Sequence, residues 1–158
     1  MGRVILSWDE VERLIDLLIP QFQSEYDALM AITRGGIVPS GMIAERLDIP
    51  HVLTASVQFY SDEGATMDWP IFLQFPSDGL LRDQNILVVD DVWDTGLTIM
   101  NVKERILAAM GRPELSVLHW KPTRSRFPQD GPDYYSAVTT DWIVYPWEPE
   151  SGRVGALA

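Results

Sequence analysis

The feature that most constrains the fold is an apolar run that ends in acids and then in a glycine turn. Residues 87–98 read Leu-Val-Val-Asp-Asp-Val-Trp-Asp-Thr-Gly-Leu-Thr. The apolar residues 86–89 are too few for a helix and are typical of a strand that is buried on both faces. Residues 98–110 are predicted to form a helix. A buried strand followed by a helix is the unit of a parallel sheet, so the sequence predicts an α/β fold.

The rest of the chain alternates in the same way. Ser7 and Glu10 form a capping box before apolar residues at helical spacing, and Pro20 follows that helix. Further strands are predicted over residues 26–33, 51–59, 71–75, 85–90, 115–120, 134–138 and 142–144, and a helix over 38–47. Residues 60–70 are predicted to be an exposed, mobile loop. We therefore expect one domain over residues 1–158, an open, mostly parallel twisted sheet flanked by helices.

Composition excludes several kinds of protein. The chain has 158 residues, no cysteine and a formal net charge of −11. Without cysteine there is no disulfide framework and no thiolate metal site. The acidic balance argues against a nucleic-acid partner. The apolar runs are strand-sized and no signal peptide is visible, so we expect a cytoplasmic protein that does not enter a membrane.

The loop after the predicted strand of residues 85–90 suits a phosphate. Its backbone N–H groups can converge on one anion at a helix N-terminus, a binding mode that needs no lysine. The residues of this loop are Asp94, Thr95, Gly96, Leu97 and Thr98. The preceding acids, Asp90 and Asp91, suit two ribose hydroxyls or a Mg²⁺ ion. Each residue alone fits a plainer interpretation, a helix cap or a solvated strand end, but the set together favours a ligand site.

Two other segments carry weaker signals. Arg34 and Gly35 open a turn after the predicted strand of residues 26–33, and alone this is an ordinary strand-to-helix connection. Lys121 and Trp142 can hold a flat heterocycle between a cation and a ring, or can be a solvated lysine and a core aromatic. His51 and His119 are predicted to lie on strands and to be structural. The pair Arg124 and Arg126 is predicted to belong to a solvated loop, with phosphate or subunit contact as the lesser alternative.

The acidic pair followed by Asp-Thr-Gly-x-Thr resembles the phosphoribosyl pyrophosphate motif of type I phosphoribosyltransferases. The resemblance implies that Asp90 and Asp91 bind the ribose hydroxyls, directly or through Mg²⁺, and that residues 94–98 bind the 5′-phosphate. It also implies that Asp94 is catalytic and exchanges a proton with N7 of a purine. Trp93 departs from the small or aliphatic residue that the family usually has there.

The second half of the chain resembles the 6-oxopurine branch of that family, the bacterial xanthine-guanine and archaeal hypoxanthine-guanine enzymes. Lys121-Pro122 and the later Pro-Trp-Glu carry this likeness. It implies that Lys121 donates to the purine O6, that Trp142 stacks on the base, and that the Ile143 backbone meets the base's second edge. It implies, more weakly, that Glu148 assists a metal.

The same resemblance makes the Arg34-Gly35-Gly36 turn a pyrophosphate loop, which in this family often holds a non-proline cis peptide. It also implies a small base-binding hood built from the two terminal segments, and a homodimer or homotetramer. One departure is that no Lys or Arg lies between Arg46 and Arg82. Pyrophosphate would then depend on Mg²⁺, Arg34 and amides, with Arg82 or a neighbouring subunit's arginine as further candidates. Residues 59–61 are a candidate closing loop.

The resemblance implies transfer of ribose 5-phosphate from phosphoribosyl pyrophosphate to guanine, xanthine or hypoxanthine, with Mg²⁺ as cofactor. Three alternatives stay open at this point. The chain can be a non-catalytic sensor of nucleotide or phosphoribosyl pyrophosphate on the same fold, a pyrimidine or other salvage transferase, or a receiver-like domain with an acidic pocket. Lys121 and Trp142 favour a purine, and a receiver-like domain has no need of Thr95-Gly96-x-Thr98.

Overall fold

A six-stranded sheet forms the centre of the molecule. The structure is a computed structural model, and it describes residues 2–60 and 69–149. The strand order is β4-β3-β2-β5-β6-β7, in which β4 alone is antiparallel to its neighbour. Its strands are β2 (Ala28–Ile32), β3 (Val52–Tyr60), β4 (Trp69–Gln74), β5 (Asn85–Trp93), β6 (Arg112–Trp120) and β7 (Tyr134–Val138). The α/β sheet predicted from the sequence is confirmed.

Helices cover both faces of the sheet. They are α1 (Trp8–Leu18), α2 (Ile37–Leu47) and α3 (Leu97–Ala108), with short 3₁₀ turns at Ile19–Gln21 and Asp78–Leu80. Side chains of α1 and α2 share one buried cluster with alternate residues of β2, and α3 shares a second cluster with the other residues of β2. The predicted capping box is present at the start of α1, where Ser7 and Glu10 exchange hydrogen bonds. No helix within the described part of the chain is long and apolar enough to cross a membrane.

The two ends of the described chain meet in a second, two-stranded parallel sheet. It pairs β1 (Arg3–Ile5) with β8 (Trp142–Val144), and Val4 lies opposite Ile143. The Gly2 amide donates to the Asp141 carboxylate at 2.8 Å, which fastens the start of β1 to the turn before β8. This small sheet joins the two terminal segments from which the resemblance implied a hood, and it is called the hood below.

Several predicted boundaries were wrong, and the difference at β5 matters most. The strand continues three residues beyond the predicted end at Asp90, to Trp93, which is buried and lies opposite Trp120 of β6. Core packing of Trp93 thus keeps Asp90 and Asp91 in extended backbone within the strand. His51 precedes β3 rather than lying on it.

The predicted mobile loop over residues 60–70 falls largely outside the described residues. Tyr60 ends β3, and Trp69 and Pro70 belong to β4. Residues 61–68, and with them Ser61 of the candidate closing loop, are not described.

Candidate active site

The phosphate loop, defined as residues 94–98, connects β5 to α3 in the middle of the sheet. β5 pairs with β2 on one side and with β6 on the other, so the loop lies at the carboxyl edge, where ligands of open α/β sheets bind. Gly96 is the N-cap residue of α3, has a positive φ of 83° and has no side chain with which to cap the helix. The first-turn amides therefore point toward the loop, and the Leu97 amide donates to the Thr95 hydroxyl at 3.3 Å.

A cavity of about 100 Å³ lies within this loop. It is lined by Asp90, Val92, Trp93, Asp94, Thr95, Gly96, Thr98 and Ile99. Sites for whole drug-sized ligands occupy about 300–1,000 Å³, so this cavity suits a single small group. Backbone amides at a helix N-terminus favour an anion there.

Trp93 forms the floor of the phosphate loop. A Cβ atom added to Gly96 would lie 2.4 Å from Trp93 Nε1, so the indole ring packs directly against the glycine. The same Nε1 donates to the Ser125 hydroxyl at 3.0 Å. The departure from the family pattern at Trp93 thus explains why residue 96 must be glycine for packing as well as for its φ.

The acidic pair lies partly buried at the end of β5. The Asp90 carboxylate accepts from the Asp91 amide at 2.8 Å, and the Asp91 carboxylate accepts from the Val92 amide at 2.7 Å. Burial raises the pKa of both carboxyls, and the nearby Asp91 charge raises that of Asp90 further. Two partly buried carboxylates so close together favour the approach of a cation or of hydroxyl donors.

This acidic pair fits a Mg²⁺ ion. Mg²⁺ is commonly held by one or two carboxylates together with substrate oxygens, and the neighbouring charge of Glu148 also raises the pKa of Asp91. Asp90 and Asp91 would hold the ion, and Glu148 lines a cavity together with Asp91. No cluster of three His, Asp or Glu side chains at metal-binding distance occurs within residues 2–60 and 69–149.

A relay of hydrogen bonds supports Asp91 from behind. Tyr145 donates its hydroxyl proton to the Asp91 carbonyl at 3.1 Å, and His119 Nδ1 lies 2.8 Å from the same hydroxyl oxygen. Burial, helped by the charge of Lys121, lowers the pKa of His119 to about 4. A neutral His119 with its proton on Nδ1 completes the relay as a donor, which is a structural role.

The turn after β2 lies beside the acidic pair. The peptide bond between Thr33 and Arg34 is cis, as the resemblance implied for this loop. A Cβ atom on Gly35 would lie 2.2 Å from the Asp91 carboxylate, and one on Gly36 would lie 2.4 Å from the Val89 carbonyl oxygen. Only glycine allows the loop to approach β5 this closely.

A second, larger cavity of about 770 Å³ opens between this turn and the chain after β8. It is lined by Arg34, Gly35, Ile37, Val38, Asp91, Trp147, Glu148 and Pro149. Its volume lies in the range of small-molecule sites. The structure thus brings Arg34, Gly35, Asp91 and Glu148 to one cavity.

The predicted base-binding residues lie together at the hood. Lys121 is buried directly after β6, and its Nζ lies 5.7 Å from the centre of the Trp142 ring. The Trp142 ring is half exposed, whereas Ile143 is buried in β8. The Lys121 amide donates to the Trp93 carbonyl at 2.9 Å, so the base end adjoins the phosphate loop.

The sequence did not anticipate the contact of Arg124. Its Nε donates to Asp94 Oδ1, although the side chain is half exposed. Arg124 and Arg126 do lie exposed on the loop between β6 and β7, as predicted. What the prediction lacked is that this loop folds back onto Asp94, which lies 30 positions earlier. Arg82 shows the opposite: it precedes β5, so it lies at the amino edge of the sheet and cannot reach pyrophosphate at the carboxyl edge.

Comparisons with known proteins find relatives that cover nearly the whole chain. The phosphoribosyl transferase domain family matches residues 5–151. A xanthine-guanine phosphoribosyltransferase from Ruegeria sp. is 31% identical over 155 residues, covering 90% of this chain and 84% of the relative. A purine phosphoribosyltransferase from Pyrococcus horikoshii has a TM-score of 0.79 at 30% identity and covers 94% of this chain and 96% of its own. A hypothetical protein from Neisseria gonorrhoeae with bound ppGpp has a TM-score of 0.80 at 26% identity, with coverages of 99% and 97%.

Proposed function

Because the chain belongs to the phosphoribosyl transferase domain family, we propose that it is a purine salvage enzyme that transfers ribose 5-phosphate to a 6-oxopurine. The observation that carries this proposal is the arrangement at the carboxyl edge of the sheet. The phosphate loop, the acidic pair, the Arg34 turn and the Lys121–Trp142 pair all lie at that edge. The xanthine-guanine and purine transferases among the relatives support the same reaction.

The proposed sugar site is the phosphate loop with the acids before it. Amides of residues 94–98 bind the 5′-phosphate at the start of α3, together with the Thr95 and Thr98 hydroxyls. Asp90 and Asp91 accept hydrogen bonds from the ribose hydroxyls. These bonds hold C1′ of the sugar in one position beside the end of β5. This positioning supplies most of what such a transfer needs from a protein.

The proposed pyrophosphate site is the larger cavity beside Arg34. The C1′–O bond to pyrophosphate breaks with its electron pair on the departing oxygen, and Arg34 with the loop amides stabilises that charge. Mg²⁺, held with Asp90 and Asp91 and assisted by Glu148, would supply further positive charge to the pyrophosphate. In this acidic protein the Arg34 guanidinium is the cation that lines this cavity.

The proposed base site is the Lys121–Trp142 pair. Lys121 donates from Nζ to the purine O6, the exposed face of Trp142 stacks on the ring, and the Ile143 backbone meets the second edge of the base. The purine N9 forms the new bond to C1′, and Asp94 accepts the proton that the purine releases from N7. The same carboxylate returns that proton to water after the product leaves.

A panel of bases tests this proposal. The protein is mixed with Mg²⁺, phosphoribosyl pyrophosphate and guanine, xanthine, hypoxanthine, adenine or uracil, and nucleotide and pyrophosphate are both measured. We expect turnover with one or more of the three 6-oxopurines and none with uracil. Turnover with uracil alone would exclude the purine site.

The alternative, a non-catalytic sensor on the same fold, is favoured only by the missing basic residue between Arg46 and Arg82. The transferase names of the relatives do not support it. Binding of phosphoribosyl pyrophosphate without any pyrophosphate release in the panel would favour it.

We further propose that residues 1–158 form one cytoplasmic domain that assembles as a homodimer or homotetramer. The assembly is supported by one face of the edge strand β4, where Trp69, Ile71 and Leu73 alternate and are each about half exposed. Such an apolar row on an edge strand fits a second copy of the chain. Light scattering on the wild type and on Leu73→Lys measures the assembly, and the variant is expected to be the smaller species.

A further inference from the structure

The Asp94 carboxylate contacts Arg124, a residue with no role in the reaction as described above. Oδ1 of its carboxylate accepts from Nε of Arg124, and about a third of the Asp94 side chain is exposed. Arg124 lies three residues after Lys121, in the loop between β6 and β7. The same short loop therefore carries both the base-binding lysine and the partner of the proton acceptor.

The loop that holds Arg124 is fixed on both sides of the arginine, to Trp93 at the end of β5 and to Thr95 of the phosphate loop. Before it, the Lys121 amide donates to the Trp93 carbonyl at 2.9 Å. After it, Ser125 accepts from Trp93 Nε1 at 3.0 Å, and the Arg126 amide donates to the Thr95 carbonyl at 2.9 Å. A side chain carried between such anchors is held in place more firmly than one on a free surface loop.

The contact also gives the two oxygens of the Asp94 carboxylate different roles. Oδ1 is bonded to Arg124, whereas Oδ2 has no hydrogen-bond partner among the described residues and can accept from a ring N–H of the base. An exposed ion pair contributes little to stability, so the value of this contact lies in the direction it gives to the acceptor oxygen. A carboxylate free to rotate would present that oxygen in the productive direction only part of the time.

We propose that Arg124 is a positioning residue that orients the Asp94 carboxylate toward N7 of the purine. This inference rests on the proposed function. It makes Arg124 part of base selection, since a base with no N–H at position 7 gains nothing from an oriented Asp94.

7-Deazaguanine provides the test because it has carbon in place of N7 and is otherwise close to guanine. The matched variants are Arg124→Gln and, as a control for the lost charge, Arg13→Gln on the exposed face of α1. For each protein we would measure kcat/KM for guanine, KM for phosphoribosyl pyrophosphate, and the inhibition constant of 7-deazaguanine. Arg124→Lys keeps the charge without the planar guanidinium.

In Arg124→Gln we expect kcat/KM for guanine to fall about tenfold, the scale of one hydrogen bond to a charged group. The inhibition constant of 7-deazaguanine and the KM for phosphoribosyl pyrophosphate should change less than about twofold. Arg13→Gln should match the wild type, and Arg124→Lys should fall between wild type and Arg124→Gln.

Parallel weakening of guanine and 7-deazaguanine in Arg124→Gln would overturn the proposal, because it would show a general loss of the base site. Unchanged kcat/KM for guanine would also overturn it. If the wild type turns over guanine but binds guanine and 7-deazaguanine equally well, N7 contributes nothing to binding. That result would also refute the positioning role of Arg124. Failure of the wild type to turn over any 6-oxopurine is a separate result, which would refute the proposed function itself.

Discussion

The two anion loops of this site are built in different ways. The phosphate loop encloses about 100 Å³ and packs on Trp93. Ser125 of the β6–β7 loop accepts a hydrogen bond from Trp93, and the Arg126 amide of that loop donates to Thr95. The Arg34 turn borders about 770 Å³, and the Arg34 side chain has no hydrogen-bond or ion-pair partner within residues 2–60 and 69–149. One loop is preformed and the other is open.

This difference follows the fates of the two groups that we propose they bind. The 5′-phosphate stays attached to the sugar through the reaction, so a rigid cradle costs nothing in turnover. Pyrophosphate must leave, and its charge changes as the bond breaks, so a loose site with one cation and exchangeable ligands suits it. The comparison predicts that damage to the first loop affects folding and chemistry, whereas damage to the second affects binding.

The largest effect is expected for Asp94→Asn on the rigid side. Turnover should fall ~100-fold, the usual scale for a proton-transferring group, while affinity for phosphoribosyl pyrophosphate stays close to wild type. Steady-state kinetics and calorimetry measure the two quantities. Asp130→Asn, an acid-to-amide change at an exposed position of the β6–β7 loop, is the control. Unchanged turnover in Asp94→Asn would remove this carboxylate from the chemistry.

Gly96→Ala tests the packing of the rigid loop. The new methyl group must adopt a positive φ and would meet Trp93 at 2.4 Å, so we expect a loss of about 2 kcal/mol in the free energy of unfolding. Urea denaturation measures it. Gly41→Ala on α2, where a Cβ meets nothing within 4 Å, should instead gain about 0.5–1 kcal/mol. Equal stability of the two variants would refute the packing of Gly96 against Trp93.

Gly35→Ala tests the open loop. Its Cβ would overlap the Asp91 carboxylate, so the turn must move away from β5 and out of line with the acids. We expect affinity for Mg²⁺-phosphoribosyl pyrophosphate to fall about tenfold, close to 1.4 kcal/mol, with less change in stability than in Gly96→Ala. Titration calorimetry decides, again with Gly41→Ala as the control. Wild-type affinity in Gly35→Ala would contradict the close approach of the two elements.

The smallest effect concerns pH and the relay behind Asp91. His119 has its pKa lowered to about 4 by burial, so the unfolded chain, with a histidine pKa of about 6.5, binds the proton first as pH falls. The contribution of the buried, neutral His119 to the free energy of unfolding is therefore complete above about pH 6.5 and is lost between about pH 6.5 and 4. From pH 7 to 5.5 the wild type should lose about 1 kcal/mol more than His119→Gln. Parallel pH curves for the two proteins would show that His119 is not buried and neutral.

The sequence predicted the strand, turn and helix around residues 94–98 well because the signals for them are local. Asp94 to Thr98 are consecutive, so strand, turn and helix signals within a dozen residues place their amides together. The prediction that Lys121 and Trp142 act together needed the family resemblance. The two residues lie 21 positions apart, and only the packing of β6, β7 and the hood brings them together.

What the sequence missed depends on tertiary contacts between distant segments. Nothing local to Trp93 shows that it continues the strand and supports Gly96, because this follows from its burial against β6. Likewise the contact between Arg124 and Asp94 depends on a loop that folds back through backbone hydrogen bonds of Lys121 and Arg126. The types and spacing of residues in the sequence do not predict such hydrogen bonds.

In the proposed reaction, the phosphate loop and the Arg34 turn hold the two ends of phosphoribosyl pyrophosphate while the base attacks C1′ between them. The most direct test mixes the protein with Mg²⁺, phosphoribosyl pyrophosphate and guanine, and follows nucleotide and pyrophosphate together. Both products should appear within minutes in equal amounts, and neither should form when the base is left out. Binding of phosphoribosyl pyrophosphate with no nucleotide formed from any 6-oxopurine would refute this reaction.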